Sequence, residues 1–535
     1  GFLGAILFAF MFILGYIDVF VLFVFVVFLN FIMWLISPKI ADFIYRFFYK
    51  VRWVSFEDFR ENQPNVASFI ESVCRKYSFK VPKLGIIPDK NPNAFTYGSG
   101  RWNARIIVTE GIFHYLDEEN IKAVYGHELG HIKNRDFIVM TLASTIIQLL
   151  YEMYVIGIRA RGKGKERGSI FLIALISYIF YIIGQYLLLY LSRVREYYAD
   201  QFSAEETGDP NSLSVALLRI AYGILVNPDD VRLVNSTKHI GITNFKAAKN
   251  VGMAYYLSNE QKDYTPLEKV ILYDLYNPWA FIYELGSTHP LTGKRLRRLS
   301  ELSERAGIQP IFNFSSLAMK YKPDKGKLYR NFFRDLSVMF LPLITFFIFP
   351  FLVVLSLYTG MVPVSKYTLF ISISTWIFLV GLSMVAKTLY RYPEGVSEKT
   401  NILEIMTDIY ASPIRGKKVE LEGEIVGRGV PGLIFSEDLM IRDTTGLMYL
   451  NYQSWLPFLG NILFGLKKVK ALVNKRAVID GWFLRTLSPR VDLKEMNVED
   501  EKIRSYIKPL NMVLGILITI LGLGLMLISG ILFIL

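Results

Sequence analysis

His127-Glu128-Leu129-Gly130-His131-Ile132-Lys133-Asn134-Arg135-Asp136 leads directly into Phe137-Ile138-Val139-Met140-Thr141-Leu142, the start of an apolar run that continues to Ile158. The run is long enough to cross a bilayer, which takes about 20 helical residues. On a helix, positions i and i+4 share a face, so His127 and His131 turn both imidazoles toward one point, with Glu128 beside them. Two histidines so spaced hold a zinc ion, and the glutamate acts on a water next to it. The bland alternative is a helix with two surface histidines. The chain has five histidines, for which chance gives roughly 0.002 matches to this pattern, so it is read as a site. A hydrolase-type metal motif thus stands at the foot of a membrane span.

Composition agrees. Of 535 residues, 52% are hydrophobic and 15% aromatic, and the mean hydropathy is +0.33. These values belong to an integral membrane protein. The single cysteine, Cys74, excludes an internal disulfide and a thiolate zinc cluster, and is read as a buried small hydrophobe. The net charge of +13 collects at the edges of apolar segments. It therefore points to the lipid bilayer as partner, and no nucleic acid is expected.

Residues 1–37 read as an N-terminal transmembrane hairpin broken at Gly15-Tyr16-Ile17-Asp18, with one overlong span as the alternative. The chain opens on Gly1, so its amino terminus is read as trimmed or processed. Further spans are expected at Phe137–Ile158, Ile170–Leu191, Leu336–Leu357, Tyr367–Ala386 and Leu510–Leu535. That makes seven spans, or six on the alternative. The domains follow: 38–136 and 192–335 form a catalytic domain, 137–191 is a transmembrane hairpin inserted in it, and 336–386 is another. A β domain at 387–508 precedes a last transmembrane helix at 509–535. Counting spans puts 38–136, 192–335 and 387–508 on one side of the membrane. Lys39, Arg46, Lys50, Arg52, Lys133, Arg135, Arg193, Arg195, Lys327, Arg330, Arg334, Lys387 and Arg391 lie there near span ends, which assigns that side to the cytoplasm. The short loop with Arg159, Arg161, Lys163, Lys165 and Arg167, offset only by Glu166, argues the other way.

Before the motif, the pattern predicts a helix at Val66–Tyr77 and strands at Leu84–Ile87 and Arg105–Thr109, an α+β subdomain. Capped helices are expected at Asn211–Leu225 and from Thr265-Pro266. Alternation then predicts strands at Lys418–Val426, Leu439–Arg442, Met448–Asn451, Ala477–Leu484 and Arg490–Glu495, a small barrel of the OB type. The apolar insert Trp455–Leu466 is either the barrel's helix or a segment in the membrane interface. Tyr449, Tyr452, Trp455 and Trp482 are not interleaved with a basic stripe. The barrel is therefore read as a partner-binding or homo-oligomerisation module.

A catalytic zinc takes a third protein ligand. Glu196 is the candidate, because two antiparallel spans of similar length return the chain beside His131 just before it. Asp200, four residues on, shares its helix face and can hold the outer nitrogen of a ligating histidine. The competing reading pairs both acids with Arg193 and Arg195 on a solvated face. His114 and His239 have no companion motif and are read as ordinary structural or surface residues.

Four separated motifs now stand out: His127–His131, the block Ser192–Asp200, Asn93-Ala94-Phe95-Thr96-Tyr97-Gly98, and Ser287-Thr288-His289-Pro290 followed by Arg295. Over residues 1–310 the chain resembles the HtpX family of membrane zinc proteases, to which CAAX prenyl endopeptidases are more distantly related. The resemblance implies a polytopic α-helical membrane protein with a mainly α (α+β), gluzincin-type metalloprotease domain facing the cytoplasm. It implies one Zn2+ held by His127, His131 and Glu196, Glu128 as catalytic acid/base, and cleavage of membrane or misfolded proteins in quality control. His289, in its Ser-Thr-His-Pro context, is the candidate oxyanion donor, with helix capping as its plain alternative. Asn93, Ala94 and Phe95 are the candidate strand for aligning an extended peptide substrate by β-addition. The rival functions are a narrow processing protease of the CAAX type and an inactive zinc-binding scaffold.

Overall fold

In the computed structural model, six helices among the described residues are long and apolar enough to cross a membrane: Val24–Phe48, Asp136–Arg159, Gly168–Thr207, Lys325–Tyr358, Lys366–Arg391 and Ile507–Ile531. The structure describes residues 19–159, 165–226, 263–428, 437–499 and 501–534, with Ile242 and a few positions between 251 and 258. The first expected span, ending near Gly15, lies outside the described residues, as do Arg161, Lys163 and His239. The chain divides into two compact units: Gly1–Gly252 with Phe281–Lys320, and Met253–Ala280 with Tyr321–Leu535.

In the first unit, helix α1 (Val19–Phe48) passes the expected boundary at residue 37 with Pro38 inside it. The exposed apolar residues Ile40, Phe43 and Phe47 carry the lipid-facing surface onward. A four-stranded sheet follows, in the order β1-β2-β4-β3. Strand β1 is Arg52–Val54, β2 is Lys83–Ile87, β3 is Ala94–Tyr97 and β4 is Arg105–Thr109. β2 and β4 run parallel, while β3 lies antiparallel to β4 at the edge, with Phe95 opposite Ile107. Strand β3 takes in Ala94 and Phe95 of the expected substrate strand and extends to Tyr97, while β1 was not foreseen, because three residues are too few to establish alternation. Helix α2 (Pro64–Lys76) buries Val66, Ala67, Ile70, Val73 and Cys74. That spacing is the one-sided stripe of an amphipathic helix, and Cys74 is a buried free thiol as expected. Its face packs in one core with Val124, Leu129 and Ile132 of the motif helix α3 (Glu118–Lys133).

Helix α4 (Asp136–Arg159) and helix α5 (Lys165–Thr207) form the inserted hairpin. The helix does not end with the expected span at Leu191, since α5 runs unbroken for 43 residues. At 1.5 Å per residue that is about 65 Å, twice a hydrocarbon core of about 30 Å, so its second half stands clear of the bilayer. No proline or glycine interrupts the chain between Gly184 and Gly208. Helices α6 (Pro210–Val226) and α7 (Thr292–Arg305) complete the unit. Before α6, Asp209 accepts from the backbone N–H of Asn211 at 3.0 Å.

The second unit contains a short helix, Thr265–Tyr276, in which Thr265 is the first helical residue and Tyr264 the cap. Helix α8 (Lys325–Tyr358) starts ahead of the expected Leu336 and buries Asp335, which accepts from Nε1 of Trp279 at 3.4 Å. Helix α9 (Lys366–Arg391) packs against the last helix. Strand β5 (Glu398–Lys399) joins the sheet formed by β6 (Lys417–Arg428), β7 (Leu439–Arg442) and β8 (Leu447–Asn451). Helix α10 (Leu459–Lys467), within the apolar insert, leads to β9 (Arg476–Leu484), β10 (Arg490–Val498) and β11 (Glu501–Arg504). β6 pairs with β7 and β9, β7 with β8, and β10 with both β8 and β9, so five strands close on themselves like a barrel. Each expected strand is present and several are longer, while β5 and β11 were not foreseen. Helix α11 (Ile507–Ile534) ends the described chain. Gly515 and Gly522 let its backbone approach α9, where a Cβ on Gly522 would meet Phe378 N at 2.3 Å. Small residues are how lipid-immersed helices come this close.

Candidate metal centre

Helix α3 begins at Asp117, whose side chain accepts from the Asn120 N–H at 3.0 Å, and carries Glu118 and Glu119 in its first turn. Both features suit a helix amino terminus. It ends at Asn134, and Arg135 takes φ +58°, a left-handed turn that costs a non-glycine residue about 1–2 kcal/mol. That turn separates the motif helix from the span, which the sequence had run together. It also swings Asp136, the first residue of α4, back onto the motif: its Oδ2 lies 2.7 Å from His131 Nδ1. Arg195 of α5 pairs with the other oxygen of Asp136. The sequence reading missed Asp136, whose approach to His131 depends on the left-handed turn at Arg135.

The structure brings His127, His131 and Glu196 together. His131 Nε2 is 3.2 Å from His127 Nε2 and 3.6 Å from Glu196 Oε1, and His127 Nε2 is 3.5 Å from Glu196 Oε2. Ligands about 2.0–2.1 Å from a tetrahedral ion stand about 3.3 Å apart, and the three side chains lie near that spacing, with Glu196 reaching the two histidines through different oxygens and one ligand atom from each residue within 4.8 Å of the others. Glu196 Oε2 is buried without a hydrogen-bond partner, an orphan acceptor aimed into this space. Burial disfavours a charged His127, yet Asp200 and Glu196 outweigh it and push its pKa up to about 9. His131 and His289 are pushed down by burial, against the pull of Glu196. The carboxylates thus draw positive charge into the site, as a metal cradle must. The donor set, the spacing and the orphan oxygen all fit a metal ion.

Asp200 is fully buried, with Oδ1 2.9 Å from His127 Nδ1, off the line of its N–H. Arg295 of α7 grips the same carboxylate with two bonds, Nε to Oδ2 at 2.9 Å and Nη2 to Oδ1 at 2.6 Å. Arg193 is not on a solvated acidic face: its Nη1 donates to the carbonyls of Glu284 at 2.6 Å and Ser287 at 2.8 Å. It thereby ties down the turn that holds His289, whose Nε2 is 3.6 Å from Glu196 Oε1. His289 does not cap α7, since the residue before that helix is Leu291.

Glu128 is buried beside the cluster, and Thr96 Oγ1 donates to its Oε2 at 2.6 Å. Thr96 stands inside the stretch Asn93–Gly98, but the sequence reading gave it no role. Period-two alternation was the signal, since Thr96 shares a strand face with Ala94. Asn93 binds inward, its N–H donating to Thr109 Oγ1 at 2.8 Å and its Oδ1 accepting from Ala94 N–H. Phe95 is fully buried with Val51, Ile87 and Ile107. The Ala94 carbonyl accepts from the Ile242 N–H at 3.1 Å, so part of this edge is already paired within the chain. His114 is exposed and rests on Tyr115, away from the cluster.

Two glycines let α3 and α5 meet closely enough for this geometry. A Cβ on Gly130 would lie 3.0 Å from Ala199 Cα, and one on Gly126 3.0 Å from Ser203 Oγ. Gly130→Ala is therefore expected to displace α5 and weaken metal binding about tenfold. The loss would run against alanine's helix preference of about 1 kcal/mol. Titration against a competing chelator measures it, and unchanged affinity would show that the close approach is not needed.

The model of Peptidase family M48 matches residues 60–303. The Protease HtpX homolog of Methanothermobacter thermautotrophicus is 37% identical over 190 residues, covering 36% of this chain and 69% of that protein. The Protease HtpX homolog of Pyrococcus abyssi is 31% identical over 280 residues, covering 51% of this chain and 84% of that protein. A crystal structure of S. mikatae Ste24p aligns with 52% of this chain and 58% of that one, at 15% identity and a TM-score of 0.32. The matched region contains the His127, His131 and Glu196 cluster and its supporting residues. Taken with its membrane-spanning helices, this places the chain in Peptidase family M48, among the HtpX-type membrane metalloproteases.

Proposed function

We propose that the chain is a zinc endopeptidase that hydrolyses peptide bonds of membrane or misfolded proteins at the cytoplasmic face. The observation that carries this is the three-ligand cluster spaced for a tetrahedral ion, with Glu128 buried beside it and outside the ligand set. When bound, zinc supplies Lewis acidity, polarising a carbonyl and lowering the pKa of a water to about 7. Glu128 takes the water proton and passes it to the leaving amine. Thr96 fixes the Glu128 carboxylate, and His289 offers a donor to the oxyanion. Asp136 and Asp200 orient the two histidines. The edge of β3 holds an extended substrate by backbone pairing, which gives weak sequence preference and suits quality control.

Metal content and cleavage of a panel of unfolded membrane proteins by the purified chain test this reading. Cleavage of a single lipidated peptide and nothing else would instead favour a narrow processing enzyme of the CAAX type, and bound zinc without any cleavage an inactive scaffold. Thr96→Val is expected to lower kcat/KM by about tenfold or more, the worth of a hydrogen bond to a charged group, with metal content unchanged. Steady-state kinetics beside a metal assay checks it. An unaltered rate would remove Thr96 from the mechanism.

We read the closed β ring as an OB-type barrel, supported by its pairing order β6-β7-β8-β10-β9 and by the parallel pair β8 with β10. Its proposed role is docking of a partner protein or of a second copy. An assembly state unchanged by charge reversal at the exposed Glu422, followed by light scattering on the full chain, would count against that role.

A further inference from the structure

We propose that a cleft in the second unit binds the phosphate-bearing headgroup of an anionic phospholipid. The cleft has a volume of about 700 Å³ and opens among α8, α9, α11 and the strands β8 and β10. That size is typical of small-molecule sites, which run to about 300–1,000 Å³. Arg391 ends α9 and Ile507 begins α11, and both line the cleft. Since both helices are membrane spans, it stands at the boundary between hydrocarbon and water.

Its charge is unbalanced. Lys387, Arg391 and Arg490 line it against a single carboxylate, Asp492. That carboxylate is fully buried and already engaged, accepting from Tyr392 Oη at 2.9 Å and Asn451 Nδ2 at 2.7 Å, with Arg391 Nη2 at 3.5 Å. Arg490 Nε is 3.0 Å from Asp492 Oδ1 but not aligned on it, and is left as a buried donor without an acceptor. Among the described residues no carboxylate pairs with Lys387 at all. Three cations against one engaged carboxylate leave a net charge of +2 and, at Arg490 Nε, one unsatisfied donor, which together call for a multivalent oxyanion.

The remaining walls decide between a lipid and a soluble phosphate. Pro342, Met384, Ile507 and Leu510 give the cleft an apolar side. At its rim Pro457 leads into Trp455, Leu456, Phe458 and Leu459, all exposed. An apolar ledge with a tryptophan beside a basic cleft is the lining an acyl-glycerol root and its headgroup require at the interface. A free phosphate uses only the charged side.

The test is native mass spectrometry and thermal melting of the full chain in neutral detergent, with phosphatidylglycerol, phosphatidylcholine or inorganic phosphate added. Phosphatidylglycerol is expected to be retained and to raise the melting temperature, and the other two are not. Lys387→Gln removes no hydrogen bond of the Asp492 network, so it is expected to fold, and to weaken phosphatidylglycerol binding about fivefold or more. Lys387→Arg is expected to keep that binding, and Arg298→Gln, a basic residue of the first unit, to leave it unchanged. Equal retention of the two lipids, or wild-type binding by Lys387→Gln, would overturn the proposal. Stabilisation by inorganic phosphate equal to that by phosphatidylglycerol would overturn its lipid source.

Discussion

Replacing Glu128 by glutamine is expected to stop peptide cleavage and leave the metal in place. The amide has the size of the carboxylate and can still meet the Thr96 hydroxyl through its own oxygen, so the packing around a residue only 2% exposed should survive. What it loses is the capacity to take a proton from water and return it to the leaving amine. General acid–base catalysis is worth about 10²–10⁴-fold, and kcat should fall by that factor or more. Because Glu128 stands outside the cluster formed by His127, His131 and Glu196, the metal-to-protein ratio should not change. Activity within tenfold of wild type would assign the proton transfer elsewhere. Loss of metal would make Glu128 a ligand.

The second large effect lies behind the ligands. Asp200 and Arg295 are 0% and 1% exposed and joined by two hydrogen bonds. Removing one member of such a pair leaves the other as a buried charge without its partner, which costs about 3–5 kcal/mol. Arg295→Met is therefore expected to lower the melting temperature of the detergent-solubilised chain sharply and to reduce metal affinity about 10–100-fold. Adding Asp200→Asn to Arg295→Met should recover part of the stability, because no buried carboxylate is left unopposed, but should not recover the affinity. Additive losses in the double variant would mean that the two side chains act independently.

The difference between these residues and others explains what the sequence made legible. His127, Glu128 and His131 lie within one and a half turns of a single helix, so their juxtaposition follows from helical period alone. Glu196 and Asp200 are likewise four apart, and an antiparallel hairpin suffices to bring them near. Asp136 reaches His131 only because Arg135 adopts a left-handed backbone, which no local pattern announces. Thr96 meets Glu128 through the packing of an edge strand against α3; alternation gives the strand face that Thr96 shares with Ala94, but not the residue packed against it. Only the competing reading paired Arg193 with acidic side chains, and its actual partners, backbone carbonyls some 90 residues away, are settled by tertiary packing. In the β domain the five strands of the closed ring were legible, and the two flanking ones, β5 and β11, were not.

Helix α5 carries the membrane crossing and the carboxylates of the metal centre, Glu196 and Asp200, on one uninterrupted rod. Each residue of an α-helix advances the side-chain direction by about 100°. A single residue inserted between Gly184 and Glu196 therefore has nowhere to be absorbed. Either the buried half of the hairpin keeps its register and Glu196 and Asp200 rotate away from the histidines, or the carboxylates stay and Gly184 turns off Ile147. The length of this segment is fixed as strictly as the identity of its ligands, and any change of chain length in the hairpin should fall between Arg159 and Lys165.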